Sequence, residues 1–346
     1  MEVFLFERDE YSRKYNCTFY DVNNIPVEER RHVLLGAVVL LSYFFFTTLY
    51  IACLYGMLTS DYRRKASYRL MIFLGFVHLT GLQTSGFLTG ILSMQGAVFC
   101  TNPVLIYVGG GVAVSTWCAS TVTSLILGFN RCIELVSDRW SRRLFHGKRV
   151  FVWMAVPLGW LLYIFVFTPP PIFNGVWMAA FFNPHYGFVE DREHVYFNRA
   201  HRFNNLTVCC TEPVVYGTLI VLYLRATRTH STNVRSAALR DRKVYLQIIC
   251  VGTIHFFASL SYVCIQSLPA NFFLLLLAST FYLLSQGTPP VIYLVVNRSL
   301  RNLLVKRLHS VVKRAFPLVP PVVHPSRTQT SGPLVSTLTA SLQSQL

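Results

Sequence analysis

Three ionisable side chains stand inside long stretches that otherwise carry no charge: His78, Glu212 and His255. A charge in lipid or in an apolar core is costly and tends to mark a working site, so any buried chemistry would start here. The three sit singly, on three different apolar stretches. No His-x-x-x-His or His-Glu-x-x-His spacing offers a metal site, and no pair of Asp residues shares an apolar stretch. His185, His194 and His201 recur at spacings of nine and seven in one polar segment and read as solvated loop histidines. No Lys falls in any apolar stretch, which excludes a retinal Schiff base. These residue types predict no enzyme, no metal and no cofactor.

The elements that must position these groups are readable from where charge is missing. The chain has 346 residues, 53% of them hydrophobic and 13% charged, against about 25% charge in a soluble domain. No Asp, Glu, Lys or Arg occurs in 33–60, 70–130, 150–189 or 244–297. A membrane-crossing helix needs about 20 apolar residues, so the second and fourth runs must each fold back once. Gln95-Gly96 with Asn102-Pro103, and Pro269-Ala270-Asn271, supply the turns. With 205–224, which carries only Glu212, the count is seven spans: 33–58, 70–93, 104–130, 150–173, 205–224, 244–268 and 272–297. The runs do not alternate polar and apolar, so helices are expected and not barrel strands. The expected fold is an all-α membrane protein, a seven-transmembrane helix bundle.

The net charge of +16 then acquires a geometry. Residues 1–31 carry −2, whereas loops 59–69, 131–149 and 225–243 carry +3, +4 and +5, and the tail from Arg298 carries +7. The intervening loops 94–103, 174–204 and 269–271 are neutral. The positive-inside rule puts the basic side in the cytoplasm, the N-terminus outside and the C-terminus inside. The basic excess therefore reads as topology and implies no nucleic-acid partner. Residues 1–31 lack the apolar core of a signal peptide, so the first span is expected to act as a signal anchor. The expected organisation is an outer tail over 1–32, the bundle over 33–297, a basic amphipathic helix over 298–316 on anionic inner-leaflet lipid, and a disordered Ser/Thr/Pro-rich tail over 317–346. Phosphorylation of that tail for arrestin binding and a plain solvated tail are both open.

Several motifs, in order along the chain, carry a resemblance. Tyr15-Asn16-Cys17, then Gly96, Phe99-Cys100, Pro103, Tyr107 and Gly109, lead into the third span, and Asn130-Arg131-Cys132 with Glu134-Leu135 closes it. Phe145, Gly147-Lys148-Arg149, Trp177, Asn183-Pro184 and Asn204-Asn205 follow, and Ser285-Gln286-Gly287, Pro289, Ile292-Tyr293-Leu294, Asn297-Arg298 and Arg301 end the seventh. Together they resemble the nematode serpentine receptor class T family of chemosensory seven-transmembrane G-protein-coupled receptors. The resemblance runs from about Tyr15 to Asn302. It implies a receptor that binds an external small-molecule ligand and activates a heterotrimeric G protein, at the plasma membrane and in sensory cilia. The alternative is a ligand-gated channel or transporter-like seven-span protein. Matched broken helices in two halves, the mark of a transporter, are absent from the sequence, since Pro169-Pro170-Pro171 and Pro289-Pro290 do not correspond. An uncharged pore is harder to exclude.

The resemblance also assigns roles. Arg131 stands where the wider receptor class has an Asp-Arg pair, with Asn130 in place of the Asp, so the guanidinium is expected to have a hydrogen-bond neighbour but no ion pair there. Pro290 and Tyr293 stand where that class carries a Pro-x-x-Tyr kink. His78 occupies the position of an acidic residue that binds sodium in many relatives; imidazole is a poor ligand for a hard cation, so no sodium site is expected. Ligand-pocket candidates are Trp117, roughly 21 Å along the helix from Arg131 at 1.5 Å per residue, together with Glu212 and Tyr282. Cys17 and Cys100 both fall on the outer side and can pair, with Cys209 and Cys210 as rivals.

Asn16-Cys17-Thr18 is a glycosylation sequon on the outer side. Asn205-Leu206-Thr207 lies close to the membrane, and Asn297-Arg298-Ser299 falls on the inner side. Expression in membranes with glycosidase mapping should show a glycan lost by Asn16→Gln and unaffected by Asn297→Gln. A glycan at Asn297 would invert the topology.

Overall fold

The computed structural model describes residues 1–229, 232–267 and 271–315. Six helices are long and apolar enough to cross a membrane, and a bent pair supplies a seventh span. They are α1 (Val33–Leu58), α2 (Ala66–Gln95), α3 (Pro103–Val136), α4 (Arg149–Phe167), α5 (Arg199–Arg228), α6 (Thr232–Ser267) and the pair α7 (Phe272–Gly287) and α8 (Pro289–Val296). A further helix, α9, covers Arg298–Ala315. Met1–Val305 forms one compact unit and the chain from Lys306 a second. The tail over 317–346 lies outside the described residues.

The helix ends follow local chemistry. Charge-free sequence makes α1 run uninterrupted for 26 residues. Helix α2 contains one π-helical turn, Gln83–Leu88, and stops at Gly96 with φ of 66°. There the Gly96 and Ala97 amides donate to the Ser93 and Leu92 carbonyls, a left-handed C-terminal cap that favours glycine. Pro103 opens α3 at its first turn, where a missing amide costs nothing. Asn198 and Asn271 cap α5 and α7 by accepting from the His201 and Phe273 amides. Between α7 and α8 the axis turns by 52°, at the Thr288-Pro289-Pro290 step.

Several segments differ from the sequence expectation: α3 runs on to Val136, α5 already starts at Arg199 and α6 at Thr232, beyond the spans expected over 104–130, 205–224 and 244–268. The fourth span stops at Phe167 instead of residue 173, because Thr168 is followed by three prolines; absence of charge marks apolar sequence, not helix. The chain continues as strand β1 (Ile172–Asn174), which pairs antiparallel with β2 (Ala179–Phe181) in the register Ile172↔Phe181 and Asn174↔Ala179. The N-terminal tail is also structured, with short helices Glu2–Phe6 and Arg8–Lys14.

Helix α3 occupies the centre, with most of its side chains from Val114 to Cys132 buried and contacts to α2, α4, α5 and α6. Small residues let backbones meet. A Cβ on Gly36 of α1 would lie 2.7 Å from the Gly90 carbonyl oxygen of α2, and a Cβ on Gly110 of α3 would lie 1.8 Å from the Pro171 carbonyl oxygen. The second contact seats the β-hairpin directly on α3. Gly110→Ala should therefore lower the melting temperature of the purified receptor by an amount equivalent to about 1–3 kcal/mol, measured in lipid nanodiscs. Gly159→Ala, whose Cβ would meet nothing within 4 Å, should leave it unchanged or raise it.

Candidate functional site

A cavity of about 250 Å³ opens between α2, α3, α5, α6 and α7 under the β-hairpin. Its walls are mostly apolar, including Leu88, Leu92, Val114 and Leu275, with Phe173, Met178 and Phe181 from the hairpin segment above. Trp117 and Tyr282 line it. Their rings meet edge to face at 5.8 Å, and the Tyr282 hydroxyl donates to the Ala113 carbonyl at 3.0 Å, tying α7 to α3. Glu212 is fully buried but is not among the lining residues. It sits below, with Oε1 3.8 Å from His255 Nδ1. The physical reason is depth along α5: Asn205 and His201 lie about two and about three turns nearer the hairpin than Glu212, and Asn205 is the one that meets the Trp117 indole.

Sequence reading took His201 for a solvated loop histidine and Asn205 for a sequon, and missed Gln266 and Ser85; the structure buries His201 and Asn205 on α5. The Trp117 indole donates to Asn205 Oδ1 at 2.8 Å. Asn205 Nδ2 is 3.2 Å from His201 Nε2, and the Gln266 amide is 3.3 Å from His201 Nδ1. Asn205 is fully buried in this network, so its sequon is inaccessible to a glycosyltransferase in the folded protein. The available signal was the density of polar residues in an otherwise apolar span. It does not say which of them converge.

The three isolated ionisable groups of the sequence are neighbours in space. Tyr50 OH and His78 Nδ1 are 2.6 Å apart, the His78 and His255 rings meet at 5.5 Å, and His255 faces both Glu212 and the Trp117 ring. All four polar side chains are fully buried. Among the described residues, no group of three or more His, Cys, Asp or Glu side chains is placed to hold a metal ion.

At the opposite end of α3, Arg131 is buried. Its Nη1 donates to Glu134 Oε2 at 2.5 Å, Nη2 donates to Ser67 Oγ of α2, and the guanidinium stands 5.8 Å from the Tyr245 ring of α6. Sequence reading left Asn130 as the hydrogen-bond neighbour of this guanidinium; the contact is made instead by Glu134, one turn on, which supplies the carboxylate that Asn130 lacks. The Asn130 side-chain oxygen is buried without a hydrogen-bond partner. Tyr293 is buried below the kink; its carbonyl accepts from Gln247 Nε2 of α6 at 3.3 Å, and the Pro290 carbonyl faces Cys53 Sγ of α1 at 3.8 Å.

The cavity end carries a cap. Cys17 and Cys100 are joined by a disulfide with Cα atoms 5.5 Å apart; Cys209 and Cys210 are free thiols. Tyr15 packs edge to face on Tyr107 of α3 at 4.9 Å and stacks on Tyr11 at 5.1 Å. The Lys14 carbonyl accepts from Tyr196 OH at 2.5 Å and faces His185 Nε2 at 3.3 Å. Asn16 is half-buried beside this cluster, its side chain accepting from the Thr18 amide.

A seven-helix bundle with a kinked last span, a cavity at one end of the central helix and a buried Arg at the other has the architecture of a receptor. The family model described as "Serpentine type 7TM GPCR chemoreceptor Srt" matches residues 1–315, and the chain belongs to that family, one of receptors and not of enzymes. It is similar to serpentine receptor class T-55 of Caenorhabditis elegans, 25% identical over 236 residues, which cover 68% of this chain and 63% of that one. The match thus spans somewhat under two thirds of the curated relative. The fold is shared with squid rhodopsin, whose crystal structure superposes with a TM-score of 0.61 at 14% identity, covering 84% of this chain and 89% of that one. The protein is a multi-pass membrane protein.

The cap buries a titratable histidine. His185 is buried among Phe19, Tyr20, Phe99 and Tyr196, with Nδ1 unpartnered. Burial pushes its pKa below the usual 6.5, opposed by the contact with the Lys14 carbonyl. A folded-state value below the unfolded one means the unfolded cap binds the extra proton, so stability is complete above about pH 6.5 and is lost as pH falls. Amide exchange in 11–20, corrected for intrinsic rate, should accelerate between about pH 7 and about pH 5. His185→Gln, which cannot titrate, should flatten that dependence.

Proposed function

We propose that this chain is a chemosensory receptor whose small-molecule ligand occupies the cavity under the hairpin and whose basic end activates a heterotrimeric G protein. The observation that carries the reading is the placement of two sites on one helix: Trp117 in the cavity wall and Arg131 buried at the far end of α3. In this reading the structure is the resting state, because the Arg131 guanidinium is held within the chain, by the Glu134 carboxylate and the Ser67 hydroxyl. Ligand pressing on Trp117, Tyr262 and Tyr282 biases α6 and α7 against α3, and α6 carries Tyr245 away from the guanidinium. The Pro289-Pro290 kink and Gln247–Tyr293 contact give that motion a discrete element to repack. The ligand enters at the disulfide end, outside the cell, since a disulfide persists where conditions oxidise and the opposite loops are basic. The receptor sits in the plasma membrane, in sensory cilia by analogy with its family, with α9 and its Lys and Arg residues on anionic inner-leaflet lipid and the tail as a substrate for kinases that recruit arrestin.

The Arg131–Glu134 pair sets the resting equilibrium, and the Glu134 side chain is 34% exposed, so solvent screens it and the pair is worth no more than about 1 kcal/mol. Glu134→Gln should raise ligand-independent nucleotide exchange on an added G protein by about fivefold, in receptor reconstituted into lipid. Arg131→Ala should abolish exchange in either background. Ion current without any G protein would replace this reading with the channel.

A further inference from the structure

Charge is kept out of this cavity first by the sequence and then by the packing. The parts of α2, α3, α6, α7 and the hairpin that line it all come from stretches without an Asp, Glu, Lys or Arg. Helix α5 contributes His201, whose two ring nitrogens face Asn205 and Gln266 side chains of the bundle. The neighbouring Arg199 and Arg202 are exposed. Two buried charged side chains flank the cavity, and neither lines it. Glu212 sits below and faces His255. Arg30, whose backbone meets the hairpin turn at Gly175, donates to the Gly96 carbonyl.

Much of the hydrogen-bonding capacity of the wall is spent inside the protein. The Thr84, Thr89 and Tyr282 hydroxyls donate to backbone carbonyls, and the Trp117 indole donates to Asn205. The unpartnered polar atoms of Ser85 and Gln266 are sealed within the wall, without surface open to an occupant. The space is bordered chiefly by hydrocarbon and rings, among them Leu88, Val114, Met178 and Leu275 with Phe173 and Phe181. An ion entering here sheds its water and meets no opposite charge, and burying an unpaired ion is costly. The attraction of aromatic faces for a cation is smaller than that cost. A hydrocarbon gains on entry, by leaving water and by contact with packed walls. A cavity of about 150 Å³ holds a benzene ring, so the 250 Å³ here suits roughly ten non-hydrogen atoms by the same scale.

We propose that the cavity selects an uncharged, chiefly hydrocarbon molecule of roughly that size and rejects organic cations and carboxylates, so that Glu212 does not read a basic ligand. This rests on the reading of the cavity as the ligand site, and the test separates the two. Butylbenzene and butylpyridine share one shape and one number of non-hydrogen atoms, but the pyridine takes up a proton in mild acid. Each is titrated into full-length receptor in nanodiscs, from above the pKa of the pyridine to about one unit below it. Free aqueous concentrations are measured, so uptake by lipid drops out. Phenylpropanoate, a carboxylate of similar size, is titrated at neutral pH. The readout is the methyl NMR signal of Met178, which lines the cavity.

Butylbenzene cannot titrate and reports any change in the protein itself. Relative to it, butylpyridine should need about tenfold more at the acid end, because only its neutral fraction binds. Phenylpropanoate should need at least about tenfold more than butylbenzene to give the same shift. Three results would overturn the assignment and leave the cavity standing as a site: butylpyridine affinity that holds or rises on protonation, phenylpropanoate that binds as tightly as butylbenzene, or binding of neutral butylpyridine without butylbenzene. If no probe moves Met178, the cavity reading falls and takes the proposal with it.

Discussion

The structure depends on one constraint: in hydrocarbon there is no water to satisfy a backbone amide or carbonyl. Every apolar run must therefore close its own hydrogen bonds as a helix, and every departure from helix must be repaired by protein. The departures here are local and repaired. The π-helical turn of α2 is followed by Thr89, whose hydroxyl donates to the Thr84 carbonyl. The break at Thr288-Pro289-Pro290 is bordered by Thr288, whose amide and hydroxyl both reach the Leu284 carbonyl. The hairpin after α4 lies on α3 and the capped tail, where Asn174 donates to the Tyr186 carbonyl. Irregular backbone occurs where the bundle supplies partners, and those places border the cavity and the kink.

Helix α3 converts that scaffold into a device with two ends. Trp117 reaches both ways: its indole nitrogen is committed to the cavity-side network through Asn205, and its ring lies on His255. Below it runs the series His255, His78 and Tyr50, with Glu212 to the side. A continuous file of buried polar groups thus leads from the cavity into the middle of the bundle, linking α1, α2, α5 and α6. Many of its polar atoms have no hydrogen-bond partner, including both Glu212 oxygens and both His255 ring nitrogens, although Glu212 Oε1 and His255 Nδ1 face each other at 3.8 Å. Buried polar groups left without a hydrogen bond are costly, and here that cost is concentrated in the middle of the bundle.

At the basic end, Arg131 illustrates how a missing partner is replaced. The residue before it is Asn, and no carboxylate is available at that position. A carboxylate one turn later, Glu134, meets the same guanidinium because residues three apart share a helix face. Ser67 and the Tyr245 ring complete the surroundings from α2 and α6. The same Arg is thus held by three helices, and a shift of any one changes its environment.

Much of this architecture is determined by the sequence alone. Seven apolar stretches, their turns and the one-sided basic charge follow from the cost of placing charge in lipid, which acts on each segment independently of the others. Family membership is likewise legible, in motifs such as Asn130-Arg131-Cys132 and Pro289 to Tyr293. Tertiary structure alone decides which polar residues meet. His78, Glu212 and His255 look solitary in the chain and are neighbours in space, Asn205 looks like a sugar acceptor and is a buried link between Trp117 and His201, and Glu212 lies beneath the cavity instead of in its wall. The reason is physical: hydropathy reports depth in the membrane, whereas convergence depends on the rotation of each helix about its axis. Close-contact glycines, a π-helical turn and a proline kink set that rotation, and their effect appears only when the helices are packed together.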